Sequence, residues 1–492
     1  MTNILTSLDL TPLVPETYAE YRPLIQEAMG FFLARLPAGR QREIFAAQLR
    51  LPGSAGLIER LFRVLQACPS LHKLGQVLAH EQALLPELRD RLQSLESMPP
   101  LTAMAELAPI IRRELGHRAD IRLASAPLAE ASVAAVIPFS WQPPDGGSAE
   151  SGVLKVLKPG VAGKLEEELE VWSELGGFLE ERCRAHRLPG LQYKDTLDRM
   201  RQLLSREVRL DLEQIHLARA AADYAEARGL IIPELLPLCT PRITAMQRIY
   251  GRPATRVTDL SLEVRHRLAG LLVDSLIAKP LWNQAEKALF HADPHAGNLL
   301  ITPELGLAVL DWSLMAELNL HQRRNLLRIL LSALAQDQAG MCRAMEELSV
   351  RTVPEEALRD IMARGLRTVR QGAFPGFSWL IDLLDRAVTE AGLAFPEEMI
   401  LFRKALYSLS GVIEDLLPGF SIDQTLLRSS GRHLLQSWAQ PAVRPDVFPS
   451  LRGPLYGTDL VQLWLEAPLI GLRYWNGLCR DAFGLPPGTA YD

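Results

Sequence analysis

Between Asn298 and Asp311 the chain has to double back. Leu299-Leu300-Ile301 and Leu307-Ala308-Val309-Leu310 are short apolar runs on either side of Thr302-Pro303-Glu304-Leu305-Gly306, a pattern that reads as strand, turn, strand. Strands joined in this way bring their outer ends back together, so Asn298 and Asp311 are expected side by side although thirteen residues separate them. Just upstream stands Phe290-His291-Ala292-Asp293-Pro294-His295-Ala296-Gly297-Asn298. A carboxylate, an amide oxygen five residues on and a second carboxylate eighteen residues on suit phosphoryl transfer from ATP. Asp293 is then the base or positioning group, and Asn298 and Asp311 are oxygen ligands for Mg²⁺. Singly, each residue would read as part of a turn or as a helix cap; the combined spacing carries the argument. Two histidines beside an aspartate raise the question of zinc, but no third ligand cluster is close in sequence. His291 and His295 therefore read as scaffold that holds the turn by hydrogen bonds.

The rest of the chain is that of a folded protein with room for such a site. Its 492 residues exceed a single core and allow two or three domains. Apolar residues make up 48% and charged residues 23%, and no stretch approaches the length of a membrane span. A net charge of −5 provides no broad basic field, so nucleic acid is not an expected partner. No export signal is evident at Met1-Thr2-Asn3-Ile4-Leu5-Thr6, and a cytoplasmic location is expected. The five cysteines are far apart with no CxxC pair, which argues for buried thiols rather than zinc or disulfides.

Residues 1–116 read as a helical extension, with breaks at Pro37, Pro52-Gly53, Pro69 and Pro99-Pro100. Residues 117–250 open with an antiparallel hairpin, Ala131–Ile137 against Gly152–Leu157, separated by the turn-rich Pro143–Gly147. Helices over Lys164–His186 and Thr196–Arg228 follow, then strand-like runs at Ile231-Ile232 and Arg242–Arg248. Residues 251–417 read as mainly helical apart from the hairpin already described. Residues 418–492 form a tail with Trp438, Trp464 and Trp475.

Phosphoryl transfer also needs a cation on the phosphates and a carboxylate to orient that cation. Lys155 lies inside the apolar run Val153-Leu154-Lys155-Val156-Leu157, where a lysine either faces a cleft or snorkels to solvent. Its candidate partners, Glu207 and Glu213, fall in a stretch expected to be one helix. Six residues apart on a helix, two carboxylates stand about 120° apart, so one of them alone is expected to pair with Lys155.

A strand lysine, a helix glutamate, an Asp/Asn loop and a metal aspartate in that order make the chain resemble the protein-kinase-like superfamily. Small-molecule kinases of the aminoglycoside and choline type share the His-x-Asp loop and commonly have Asp-Trp, as at Asp311-Trp312. The longer loop from His291 to Asn298 is similar to that of the UbiB/AarF family of atypical kinase-like proteins, and three further features favour that family. Lys73-Leu74-Gly75-Gln76, followed by Leu84-Leu85-Pro86, resembles its N-terminal Lys-x-Gly-Gln signature. Pro127–Ala134 resembles its alanine-rich loop, and the spacing of Glu207 and Glu213 resembles its helix motif. The resemblance covers Leu71–Glu317, with a looser helical match to Leu416.

What the resemblance implies is an α+β, bilobal protein-kinase-like fold with a helical N-terminal extension and a mostly helical C-lobe. ATP and Mg²⁺ are the implied cofactors. Lys155, Glu213 and Asp293 form the implied catalytic set, with Glu213 paired to Lys155 and Glu207 facing the helix of Lys73. Lys73, Gln76, Ala129, Ala131, Ser132, Lys155, Glu207 and Met246 are implied in cofactor binding. The implied activity is that of an ATPase or a small-molecule or lipid kinase linked to isoprenoid-quinone or related biosynthesis. A lipid-like or isoprenoid small molecule, a biosynthetic partner enzyme and peripheral membrane contact go with it. Two other readings stand beside it: an ATP-dependent scaffold or assembly factor, and a phosphotransferase of the aminoglycoside or choline type. The sequence departs from the family pattern at Arg209, where an acidic residue is usual, at Trp312-Ser313 in place of Phe-Gly, and at Glu81 and Ala83.

Overall fold

Proline and glycine divide the N-terminal region into helices at the expected places. Helix α1 (Arg22–Arg35) stops before Pro37, α2 (Ala38–Leu49) before Pro52-Gly53, and α3 (Leu57–Ala67) gives way to α4 (Pro69–Leu78). Pro69 begins α4, where a missing N–H costs no intrahelical bond. Helices α5 (Pro86–Gln93) and α6 (Met104–Leu115) follow. This computed structural model describes residues 9–79, 83–96, 100–143, 149–188, 193–426 and 428–429. Glu81, residues 144–147 of the expected turn and the tail tryptophans Trp438, Trp464 and Trp475 lie outside the described residues.

The described residues form two compact units. One contains the chain up to Ala221 together with Pro233–Ile249; the other contains Ala222–Ile232 and the chain from Tyr250 onward. In the first unit the N-terminal helices share their core with later ones. Phe32, Ile44, Phe62, Leu71, Leu88 and Leu92 pack with Leu165, Leu169 and Trp172 of α7 (Val161–His186) and Leu204 of α8 (Tyr193–Arg206). A buried polar link runs through this core. Arg40 of α2 donates to Glu168 of α7 at 2.8 Å and to the Ala67 carbonyl at 2.8 Å. Glu168 in turn accepts from the Ser70 N–H at 2.8 Å and its hydroxyl at 2.7 Å, which joins α2, α4 and α7.

The same unit carries an antiparallel sheet of β1 (Ile121–Leu123), β2 (Ala129–Glu130), β3 (Ala134–Trp141), β4 (Glu150–Leu157) and β6 (Ile243–Gln247), with β3 and β4 at its centre. Strand β5 (Leu230–Ile231) belongs to the second unit. Alternation along the strands sorts the faces. Ala135, Ile137, Phe139, Leu154, Val156, Ile243 and Ala245 bury one face against Leu107 and Ile111 of α6. Lys155, between Leu154 and Val156, is thereby turned to the other face.

The second unit is helical around two small sheets. Strands β5, β10 (Leu307–Val309), β9 (Leu299–Ile301) and β7 (Arg252–Pro253) form one sheet, and β8 (Lys287–His291) pairs antiparallel with β11 (Met315–Asn319) in the other. Helix α10 (Leu262–Val273) runs through a π-helical turn at Asp274–Ala278 into α11 (Lys279–Trp282). Then come α12 (Leu320–Ala335), α13 (Gln338–Leu348), α14 (Glu355–Arg370), α15 (Phe377–Thr389) and α16 (Glu397–Leu416). A capping box starts α12: Asn319 accepts from the Gln322 N–H at 2.8 Å, and Gln322 from the Asn319 N–H at 2.9 Å.

Two local expectations are corrected. The helix expected through Thr196–Arg228 is broken: α8 ends at Arg206 and α9 (Leu210–Asp223) starts after a turn that contains Glu207. The turn lets Leu204 join the helical core while Leu210 enters a separate cluster with Ala134, Leu157 and Val161. No Pro or Gly marks this break, so the sequence carried no signal for it. The second correction is that β8 and β11 frame the catalytic-type loop, where only the β9–β10 hairpin was expected. Met315-Ala316-Glu317-Leu318-Asn319 has little strand propensity, and its pairing with β8 overrides that preference.

Candidate functional site

In the first unit, the Lys155 ammonium donates to Glu213 Oε1 at 2.8 Å, and both side chains are buried. Strand alternation and the start of α9 at Leu210 bring them together. Glu207 pairs instead with Lys73, at 3.1 Å. The pairing follows the one implied by the resemblance, but the geometry behind it differs: the two glutamates point to different lysines because a turn separates them, not because of their angle on one helix.

The Lys73–Gln76 motif has a full packing account in α4. A Cβ on Gly75 would fall 2.8 Å from Leu95 Cδ1 and 3.2 Å from Leu65 Cδ1, so glycine permits this close approach. The Leu95 carbonyl accepts from Gln76 Nε2 at 3.2 Å and lies 3.3 Å from His72 Nε2. Burial, with the nearby Lys158 and Lys73 charges, pushes the His72 pKa down to about 4, so the ring is neutral and Nε2–H is its donor. Gln76, implied in cofactor binding, is thus used to tie α4 to the turn after α5. Lys73 is the member of the motif that reaches a carboxylate.

The alanine-rich segment is a tight turn between two strands. Ala129 and Glu130 pair with Val136 and Ala135, and the Ala131 N–H donates to the Ala134 carbonyl at 2.8 Å. The expected strand from Ala131 therefore begins only at Ala134, and Ala131, Ser132 and Val133 form the turn. Met246 is nearly buried on β6, opposite Val153 of β4. Arg209 makes a two-bond ion pair with Asp211, at 2.8 and 2.6 Å, on the outside of the α8–α9 turn.

In the second unit, backbone bonds define the loop after β8. The Asp293 N–H donates to His291 Nδ1 at 3.1 Å, and His291 Nε2 lies 2.9 Å from the Leu310 carbonyl. With Nδ1 an acceptor, Nε2 must carry the proton, and burial pushes this imidazole below its ordinary pKa. His291 is a neutral strut. His295 Nδ1 likewise accepts from the Gly297 N–H at 3.1 Å. The Asp293 carbonyl accepts from the His295 N–H at 2.9 Å and from Asn298 Nδ2 at 3.0 Å. Tying down the amide nitrogen directs Asn298 Oδ1, the atom with metal-ligand character, the opposite way.

The β9–β10 ladder continues past both strands, with the Leu310 N–H donating to the Asn298 carbonyl at 2.8 Å, so Asp311 stands beside Asn298. Asp311 takes a left-handed conformation, φ 49°, which aspartate tolerates better than most residues. Its Oδ1 accepts from the Ser313 N–H at 3.2 Å. Trp312 is fully buried, edge-on to His291 at 4.7 Å, with its indole donating to the Val309 carbonyl at 3.2 Å. The large residue after the metal-type aspartate thus braces the loop.

One residue at the site was not found from the sequence. Lys404, on α16, lies 2.8 Å from Asp293 Oδ1. It is 111 positions downstream in a helix without a motif, and only the packing of α16 brings it there.

The donor set suits a hard cation with phosphate: one amide oxygen and one carboxylate on adjacent chain segments, with a second carboxylate nearby. Among the described residues no three His, Cys, Asp or Glu side chains form a closed metal cluster. Mg²⁺ is suited to such an open set because it commonly keeps waters and substrate phosphates as ligands. Among the described residues no helix is long and apolar enough to cross a membrane.

Residues 94–345 match the ABC1 atypical kinase-like domain, a match that begins after the Lys73–Gln76 motif. A relative named "Probable protein kinase UbiB" from Azotobacter vinelandii is 25% identical over 448 residues, which span 87% of this chain and 78% of the relative. One of the same name from Xanthomonas oryzae pv. oryzae is 25% identical over 379 residues, 72% of this chain and 66% of the relative. A Mycobacterium tuberculosis protein solved in complex with erythromycin aligns with a TM-score of 0.49 at 20% identity, over 69% of this chain and 86% of that one.

Proposed function

This chain belongs to the ABC1 family of atypical kinase-like proteins, the UbiB/AarF family, and on that footing we propose that it binds Mg-ATP and hydrolyses it or passes its terminal phosphate to a small lipid-like acceptor. The acceptor class and a link to isoprenoid-quinone biosynthesis are part of the proposal, supported by the family resemblance and by relatives named as probable UbiB kinases. The observation that carries the reading is the loop after β8, where Asp293 is fixed through His291 and Asn298 and the hairpin sets Asp311 beside Asn298.

In this reading Asn298 Oδ1 and the Asp311 carboxylate hold Mg²⁺. Within the first unit, Lys155, oriented by Glu213, is the cation that would be offered to phosphate, and the Ala131–Val133 turn is the candidate phosphate loop. Asp293 orients the attacking hydroxyl or water and takes its proton. When bound, Mg-ATP supplies the phosphoryl group and the charge neutralisation that its departure needs. Lys73, held by Glu207, is the residue of α4 nearest in chemistry to a further phosphate contact.

The test is thermal and kinetic. Mg-ATP at a hundredfold excess over its Kd should stabilise the protein by about 2.7 kcal/mol. Asp311→Ala should abolish that gain, and Asp293→Asn should keep it while losing turnover. A wild-type protein unmoved by Mg-ATP in this assay would remove the proposal. Stabilisation without turnover would leave a nucleotide-dependent scaffold for a biosynthetic enzyme.

A further inference from the structure

From Ala288 to Gln322 the chain contains neither lysine nor arginine, while Asp293, Glu304, Asp311 and Glu317 all fall within that stretch. The loop therefore brings carboxylates and an amide to the site but no permanent cation of its own. Phosphoryl transfer concentrates negative charge at such a place, and a bare carboxylate there would repel it. The cation comes from α16, whose Lys404 Nζ stands 2.8 Å from Asp293 Oδ1.

Stability does not account for this pair. The Lys404 and Asp293 side chains are 37% and 16% exposed, and an ion pair this open contributes little to folding. Its placement is nonetheless fixed from both sides. Two residues before Lys404, Phe402 is buried and packs edge-on against Phe290 of β8 at 5.2 Å, which couples α16 to the strand that delivers the loop. The Asp293 backbone is held by His291, His295 and Asn298. With the backbone set in this way, the Lys404 ammonium is a contact that helps to fix where Oδ1 stands.

We propose that Lys404 is a positioning residue for the transfer step, holding the Asp293 carboxylate in the orientation from which it acts on the attacking oxygen. This inference rests on the phosphoryl-transfer reading above. It assigns the function of Lys404 to turnover rather than to nucleotide binding or folding.

The experiment measures Mg-ATP hydrolysis, Mg-ATP binding by calorimetry and thermal midpoint for the wild type, Lys404→Met, Lys404→Arg, Asp293→Asn and the Asp293→Asn/Lys404→Met double variant. Lys404→Met should lower kcat about 10- to 100-fold, the scale of a misplaced reacting group, with Kd and KM changed by less than about twofold. Its midpoint should move by less than about 2 °C. Lys404→Arg should restore most of the rate, and in the Asp293→Asn background Lys404→Met should cost nothing more. An unchanged kcat in Lys404→Met overturns the inference, as does a loss that multiplies with that of Asp293→Asn. A weakened Kd with normal kcat overturns it in favour of a phosphate contact, and a large fall in midpoint in favour of a structural role. Those outcomes leave the functional reading intact. A wild type that binds Mg-ATP but does not hydrolyse it removes the transfer step and this inference together, while one that does not bind it removes the functional reading as well.

Discussion

The two units each hold a lysine–carboxylate pair with the same 2.8 Å separation and very different surroundings. The Lys155 and Glu213 side chains are 8% and 3% exposed, between the sheet and α9, whereas those of Lys404 and Asp293 are 37% and 16% exposed. Distance alone would rank them equal. Desolvation separates them: removing one member of the buried pair leaves a charge that water cannot reach, while either member of the open pair can be rehydrated. The first pair is therefore part of the fold as well as a candidate phosphate anchor, and the second is free to serve chemistry at little structural cost.

The largest expected effect breaks the buried pair. Lys155→Met should destabilise the protein by about 3–5 kcal/mol in urea unfolding, because Glu213 is left charged and buried. A loss under about 1 kcal/mol would put the two pairs on one footing and undo the comparison.

A somewhat smaller effect comes from another buried polar group of the first unit. His72 is neutral in the folded protein, with a pKa of about 4 against an ordinary value of 6.5. As the pH falls through 6.5 the unfolded chain takes up a proton that the folded one refuses, so stability declines until about pH 4, where the folded ring also protonates. The loss over that window is on the order of 3 kcal/mol, and unfolding free energies measured against pH should show it. His72→Gln should remove this component of the slope; an identical slope in the variant would mean that other groups cause it.

The smallest effect belongs to the open pair. Lys404→Met should change unfolding free energy by less than about 1 kcal/mol, measured in the same urea titration as Lys155→Met. The contrast sharpens if this near-neutral change in stability accompanies the large change in rate expected above.

Much of this architecture was legible in the chain. Prolines marked the ends of the N-terminal helices, and the two apolar runs around Thr302–Gly306 forecast the hairpin that sets Asp311 beside Asn298. These features depend on neighbours along the chain, where backbone sterics and short-range periodicity operate. The break at Glu207 was not legible, because no residue there forbids a helix; it arises from burying Leu204 and Leu210 in different clusters. Strand β11 was hidden for a similar reason, since it exists through its partner β8.

The sequence by itself thus determined the candidate residues and the family: the Asp293, Asn298 and Asp311 set at hairpin spacing, a lysine in an apolar strand, and the match to the atypical kinase-like domain. The Glu213–Lys155 pair and the side of Glu207 were already implied by the family resemblance. Tertiary structure alone decided the turn that separates the two glutamates, set Gln76 and His72 onto the Leu95 carbonyl, and brought Lys404 to Asp293 from a helix 111 residues away. Local sequence sets backbone conformation over a few residues, whereas the pairing of charges depends on how buried surfaces far apart in the chain pack together, and no short window of sequence records that.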